Sequence, residues 1–198
     1  MVEPPFEMKK SNRSPEFLSK FPLGKVPAFE TTDGTVRLFE SDAIAQFIAE
    51  SGPASTQLLG RDAAERAQIR QWIIFGEGEL MNAVVLLVLW RLGLTVYDEH
   101  REKTALASLE RALDVLETHV AAREKEGKSW LITEEKLSLA DISVASAFMC
   151  GCTHVIDAEM RVRFPRSLAW FERTRGSEGV KQAFGYREFK EKRQPPPV

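Results

Sequence analysis

Gly24-Lys25-Val26-Pro27-Ala28-Phe29-Glu30-Thr31, then Asp33-Gly34, then Val36-Arg37-Leu38-Phe39-Glu40-Ser41 is the stretch from which the fold is read. Ala28–Thr31 and Val36–Phe39 have the length and composition of two short strands. Asp33-Gly34 between them predicts a hairpin with a two-residue primed turn, because such turns need positive φ. Ser41 is placed to cap a helix, and Ile44, Phe47 and Ile48 follow at helical spacing. Ser51-Gly52-Pro53 ends that helix. Upstream, Ser14-Pro15 starts a short helix carrying Phe17, Leu18 and Phe21, with Ser at the cap and Pro at the first helical position. Residues 1–14 read as an irregular lead-in.

Downstream of Gly60 every periodic signal is helical. Residues 52–60, rich in Gly, Pro, Ser and Thr, read as a linker. Asp62 caps a long helix with Ile69, Trp72, Ile73, Leu80, Val84 and Leu87 inward. The next helix has Leu106, Leu109, Leu113, Leu116 and Val120 on a charged rod. Ser138 and Asp141 form a capping box, with Leu137 and Ile142 as the hydrophobic staple. The helix that follows is apolar nearly all round and is expected at the centre of the core. Two shorter helices are read after it, one with Trp170 and Phe171, one with Val180 and Phe184. The charged, proline-ending tail from Tyr186 is read as disordered or as a linker. The domain boundaries are thus 1–51, 62–185 and a tail at 186–198. The fold class is mainly α with a small β part.

The 198 residues are 43% hydrophobic and carry a formal net charge of −2. That balance offers no field for nucleic acid. No signal peptide opens the sequence. The longest apolar run, Ala83–Trp90, falls short of the roughly 20 residues of a membrane helix. Only two cysteines occur, Cys150 and Cys152. They fit a reducing cytoplasmic setting and fall short of a zinc site. His100, His119 and His154 lack ligand spacing, so no metal is expected. Glu77 and Glu79, two apart on a helix, do not face one another.

Taken singly, Val26-Pro27 is a loop and Ser41 a cap. Taken in order and at their distances, Lys25-Val26-Pro27, Phe39-Glu40-Ser41 and Ser138-Leu139-Ala140-Asp141 resemble the glutathione transferase superfamily. The run from Ser14 to Glu30, and Phe164-Pro165 followed by Trp170-Phe171, are similar to the transferase-like domain of elongation factor 1B gamma and its fungal relatives. The resemblance implies a truncated thioredoxin-like N-terminal domain followed by an all-α C-terminal domain. It implies a cis Val26-Pro27 bond, with Val26 offering its backbone to the cysteinyl unit of glutathione. Glu40 would meet the γ-glutamyl ammonium and Ser41 the adjoining carboxylate at a helix N-terminus. Lys25 would neutralise the glycyl carboxylate. The implied activity is addition of glutathione's thiolate to small electrophiles.

Catalysis in this family uses a Tyr, Ser or Cys near the first strand or first helix. No residue here matches that position, because the sequence starts where the family's second strand would be ending. No catalytic residue is therefore assigned, and Ser138 and Asp141 are assigned to folding. The strand near Ala28 is expected to present an open edge covered by a second subunit. The implied partners are glutathione, a second copy of the chain and translation elongation factor subunits.

Overall fold

The computed structural model describes residues 5–197. The chain divides into two compact units, Met1–Ser55 and Thr56–Val198.

In the first unit, a 3-10 turn at Ser11–Arg13 leads into helix α1 (Pro15–Lys20). The described part of the lead-in is thus ordered, and residues 1–4 lie outside the described residues. The Ser14 hydroxyl accepts the Phe17 N–H at 3.1 Å and caps α1. Strands β1 (Ala28–Glu30) and β2 (Arg37–Phe39) pair antiparallel, with Ala28 opposite Phe39 and Glu30 opposite Arg37. They form a two-stranded sheet.

The connection between the strands differs from the expected two-residue turn. Gly34 has φ +70° but Asp33 does not have positive φ, so a primed turn cannot form. Instead Gly34 N–H donates to Thr31 O at 2.8 Å, and Thr31 N–H donates to Val36 O at 3.0 Å. The Asp33 carboxylate accepts the Thr31 and Thr35 hydroxyls and the Thr35 N–H. A local side-chain network therefore shapes the wider loop. Helix α2 (Ser41–Ser51) follows, burying Ile44 and Ala49. Phe47 packs on Phe29 of β1 at 5.6 Å between ring centroids. Ile48 is exposed.

The second unit begins inside the stretch expected to be a linker, where residues Ser55–Leu59 form helix α3. Asp62 accepts the Glu65 N–H at 2.9 Å and caps α4 (Ala63–Phe75). The helix continues through a π-helical segment, Gly76–Met81, into α5 (Asn82–Leu89). Ile69, Trp72, Ile73, Leu80, Val84 and Leu87 all point inward and are buried. This run, Ala63–Leu89, has 27 residues and is long and apolar enough to cross a membrane by length and composition. The expectation from Ala83–Trp90 alone missed that, because the apolar residues of α4 extend the run at helical spacing. Within the domain, 44% of its most apolar window is buried.

Helix α6 (Glu99–Lys125) is capped by Asp98 and buries Ala105, Leu109, Leu113, Leu116 and Val120. Leu106 is only half-buried, because Ala105 takes the inward position. Helix α7 (Leu139–His154) is buried nearly all round and packs on α4, the π segment, α5 and α9 (Pro165–Gly176). Gly76 permits one close approach, since a Cβ there would lie 3.3 Å from the Val144 Cα. Three short helices complete the unit, not two: α8 (Ala158–Arg163), then α9, then α10 (Lys181–Phe184). The first of these had no long apolar stripe to announce it.

Residues 189–194 of the tail are docked, against the expectation of disorder. Lys190 N–H donates to Cys152 O at 2.7 Å, and Ala158 N–H donates to Glu191 O at 3.2 Å. Arg161 donates to Lys190 O at 2.7 Å, and Arg193 N–H to an Asp157 carboxylate oxygen at 3.1 Å. Backbone groups of the tail carry most of these bonds, and sequence patterning does not report backbone pairing.

Candidate functional site

The β ladder gathers the first-unit site residues. Ala28 stands opposite Phe39, so the next residues outward, Pro27 and Glu40, continue past the same end of the sheet. Val26 precedes one and Ser41 follows the other. Lys25, Val26, Pro27, Glu40 and Ser41 are all exposed. The Val26-Pro27 bond is cis, as the resemblance implies.

Glu40 has φ +72° and ψ 120°. A non-glycine residue with a Cβ pays sterically for positive φ, and such residues concentrate at binding sites. Glu40 occupies the N-cap position of α2, with its carbonyl accepting the Ile44 N–H at 3.1 Å. Its side chain makes no capping hydrogen bond. Ser41, expected to be the cap itself, is the first residue of the helix. The shift by one places Ser41 in the first turn of α2. The helix dipole there favours an anion.

The loop before this site is braced from below. Gly24 N–H donates to Phe21 O at 2.9 Å, and Gly24 O accepts from the Asn12 amide nitrogen at 2.6 Å. Asn12 is buried and carries no motif, so sequence reading passes over it. Beside the sheet, the Glu30 carboxylate lies between Lys20 at 2.8 Å and Arg37 at 2.7 Å. Hydrogen bonds from Lys20 and then Arg37 hold its pKa below the usual carboxylate range. The bond to Lys20 ties α1 to the sheet.

Ser138 and Asp141 sit in the second unit, fully buried. The capping box forms, and the Asp141 carboxylate accepts the Ser138 N–H and hydroxyl, both at 2.9 Å. Its other oxygen accepts the Leu131 N–H and the Trp170 indole N–H, again at 2.9 Å each. The cap thus also joins the 131–137 loop and α9 to the start of α7. The partners Leu131 and Trp170 had no signal in the local motif.

Trp90-Arg91 is part of a buried ion pair. Arg91 forms a two-pronged contact with Glu102 at 2.6 and 3.0 Å, and the Trp90 indole N–H donates to Glu102 at 2.8 Å. Burial raises the Glu102 carboxyl, but the bonds from Arg91 and Trp90 outweigh it and the pKa is lowered. Burial pushes the Cys152 thiol up to about 12 and raises Cys150. Neither thiol is an activated nucleophile. Among the described residues, no group of three or more His, Cys, Asp or Glu is placed to hold a metal ion.

Comparison with known proteins agrees with this geometry. The glutathione S-transferase N-terminal domain family matches residues 2–50, and a domain of unknown function (DUF7962) matches residues 95–183. A glutathione S-transferase-like protein of Aspergillus aculeatus is 50% identical over 93% of this chain and 84% of its own length. Elongation factor 1-gamma of Rattus norvegicus is 33% identical over 85% of this chain, which spans 36% of that longer protein. The crystal structure of the GST-like domain of elongation factor 1-gamma from Saccharomyces cerevisiae superposes with a TM-score of 0.80 at 28% identity, covering 92% of this chain and 83% of that one. The chain belongs to the glutathione transferase superfamily, as a glutathione S-transferase-like protein with a thioredoxin-like N-terminal part and a helical C-terminal part.

Proposed function

We propose that this protein binds glutathione at the site formed by Lys25, Val26, Pro27, Glu40 and Ser41. The observation that carries the reading is the β register, which brings Pro27 and Glu40 to one end of the sheet at an exposed helix N-terminus. Glutathione is an extended tripeptide with two carboxylates and one ammonium. Val26 pairs with its cysteinyl backbone as an added strand. Glu40 takes the ammonium, and Ser41 with the first-turn N–H groups of α2 takes the neighbouring carboxylate. Lys25 neutralises the glycyl carboxylate. With an activating hydroxyl or thiol supplied near the cysteinyl sulfur, the thiol loses its proton. The proton passes to solvent, and the thiolate forms a C–S bond to the carbon of a small electrophile as a halide leaves that carbon or its π bond opens. The protein acts in the cytoplasm as a homodimer.

Calorimetric titration with glutathione and with an S-alkyl glutathione tests the binding. Saturable binding is expected, weakened about tenfold or more by Glu40→Ala or Ser41→Ala, since each removes a charge-assisted hydrogen bond. Absence of binding by a folded sample overturns it. The likeness to elongation factor 1-gamma favours a second reading, a non-catalytic scaffold for translation elongation factor subunits. Capture of those subunits by a chain inert toward an activated aryl halide supports the scaffold; turnover of the halide supports the transferase.

A further inference from the structure

We infer that Asn12 is a positioning residue for the glutathione loop, acting through Gly24; this rests on the glutathione reading above. The Asn12 side chain reaches in two directions. Its carbonyl oxygen accepts the Lys9 N–H at 2.6 Å, and its amide nitrogen donates to Gly24 O at 2.6 Å. One neighbour is a donor and the other an acceptor, so only one orientation of the amide satisfies both. Asn12 is 4% exposed, so neither bond is readily replaced by water.

Gly24 is held on every side. Its N–H donates to Phe21 O at 2.9 Å. Its φ is +58°, and a Cβ would fall 2.8 Å from Asn12 O and from the Arg13 guanidinium, and 3.0 Å from Leu18. The Asn12 segment therefore packs directly onto this glycine, which only glycine tolerates. Four residues later Ala28 enters the ladder opposite Phe39. Lys25, Val26 and Pro27 thus form a short arch pinned at Gly24 by Asn12 and at Ala28 by β2. Val26 must present its N–H and C=O at a set depth beside Glu40 to pair with a peptide. Loosening one end of so short an arch moves both groups. Binding then includes the cost of ordering the loop.

Asn12→Asp is the informative variant. It is nearly the same size and keeps the acceptor for Lys9 N–H, but it removes the donor to Gly24 O. Ser14→Ala is the control, since it removes the cap of α1 in the same module without touching Gly24. Both are compared with the wild type by circular dichroism, thermal melting, glutathione calorimetry and hydrogen exchange of the peptide covering 22–31. Asn12→Asp is expected to weaken glutathione binding about tenfold and to speed exchange within 22–31. Ser14→Ala is expected to lower the melting temperature while keeping wild-type affinity. Wild-type affinity in Asn12→Asp overturns the inference, as does an equal loss of affinity in Ser14→Ala, which makes Asn12 merely structural. If the wild type binds no glutathione, the proposed ligand is wrong. The positioning role then stands or falls on exchange: faster in Asn12→Asp alone supports it, and unchanged or equally faster in both overturns it.

Discussion

Two residues carry most of what is chemically unusual here. Glu40 keeps a positive φ that a side chain with Cβ disfavours. Nothing in the motif Phe39-Glu40-Ser41 announces that conformation; it follows from turning the chain out of β2 directly into α2. His119 is the second. Its ring lies 4.3 Å from the Trp72 ring, and its Nε2 is 2.7 Å from Leu131 O. Burial lowers its pKa from the ordinary 6.5, only partly offset by the bond to Leu131. A folded pKa below the unfolded one means that the unfolded chain binds more protons as pH falls through this range. The stability contributed by neutral His119 is therefore present above about pH 6.5 and lost below it. Melting curves between pH 7.5 and 5.5 are expected to show this loss, and His119→Gln is expected to flatten it. The thiols make a simpler case. Cys152 is buried with its pKa pushed up to about 12, so alkylation by iodoacetamide of the native protein at neutral pH is expected to spare it until the fold opens.

At the scale of elements, the caps show how far local sequence reaches. Ser14, Asp62 and the Ser138–Asp141 box all cap the helices their patterns predict. Asp141 goes further, because its two oxygens meet donors from the start of α7, the loop at Leu131 and Trp170 of α9. Asp141→Ala strands those buried donors together. The expected cost is on the order of 3 kcal/mol or more, read as a fall in the denaturation midpoint. Ser14→Ala, which breaks one cap in a short helix, is expected to cost only about 1 kcal/mol. The α-helices that escaped the reading are α3 and α8. Each is five or six residues long, too short for helical periodicity to show, and their context stabilises them.

The whole molecule adds the strap. Residues 189–194 lie across the end of α7, the start of α8 and the Arg91–Glu102 pair, whose Arg91 donates to Gln194 O at 3.2 and 3.1 Å. Phe189 stands 5.9 Å from the Phe171 ring. Truncation after Tyr186 removes these bonds and exposes part of the core. A loss of about 2–4 kcal/mol is expected, visible as a melting temperature lower by roughly 5–15 °C. A truncated chain as stable as the full one would show that the strap contributes nothing. Among the described residues the sheet has two strands, β1 and β2.

The sequence by itself determined the superfamily, the helical class of the second unit, most of the buried faces of α4 to α7 and the caps at Ser14, Asp62 and Ser138. The superfamily rests on the resemblance carried by three motifs in order; the others rest on local chemistry at fixed spacing, apolar residues three or four apart, or a Ser and an Asp three apart. Only the tertiary structure decided the shape of the β1–β2 loop, the docking of the tail, the second role of Asp141 and the bracing of Gly24 by Asn12. Each of these joins backbone or buried polar groups that the local pattern does not pair. Those bonds form because burial penalises any donor or acceptor left unmatched.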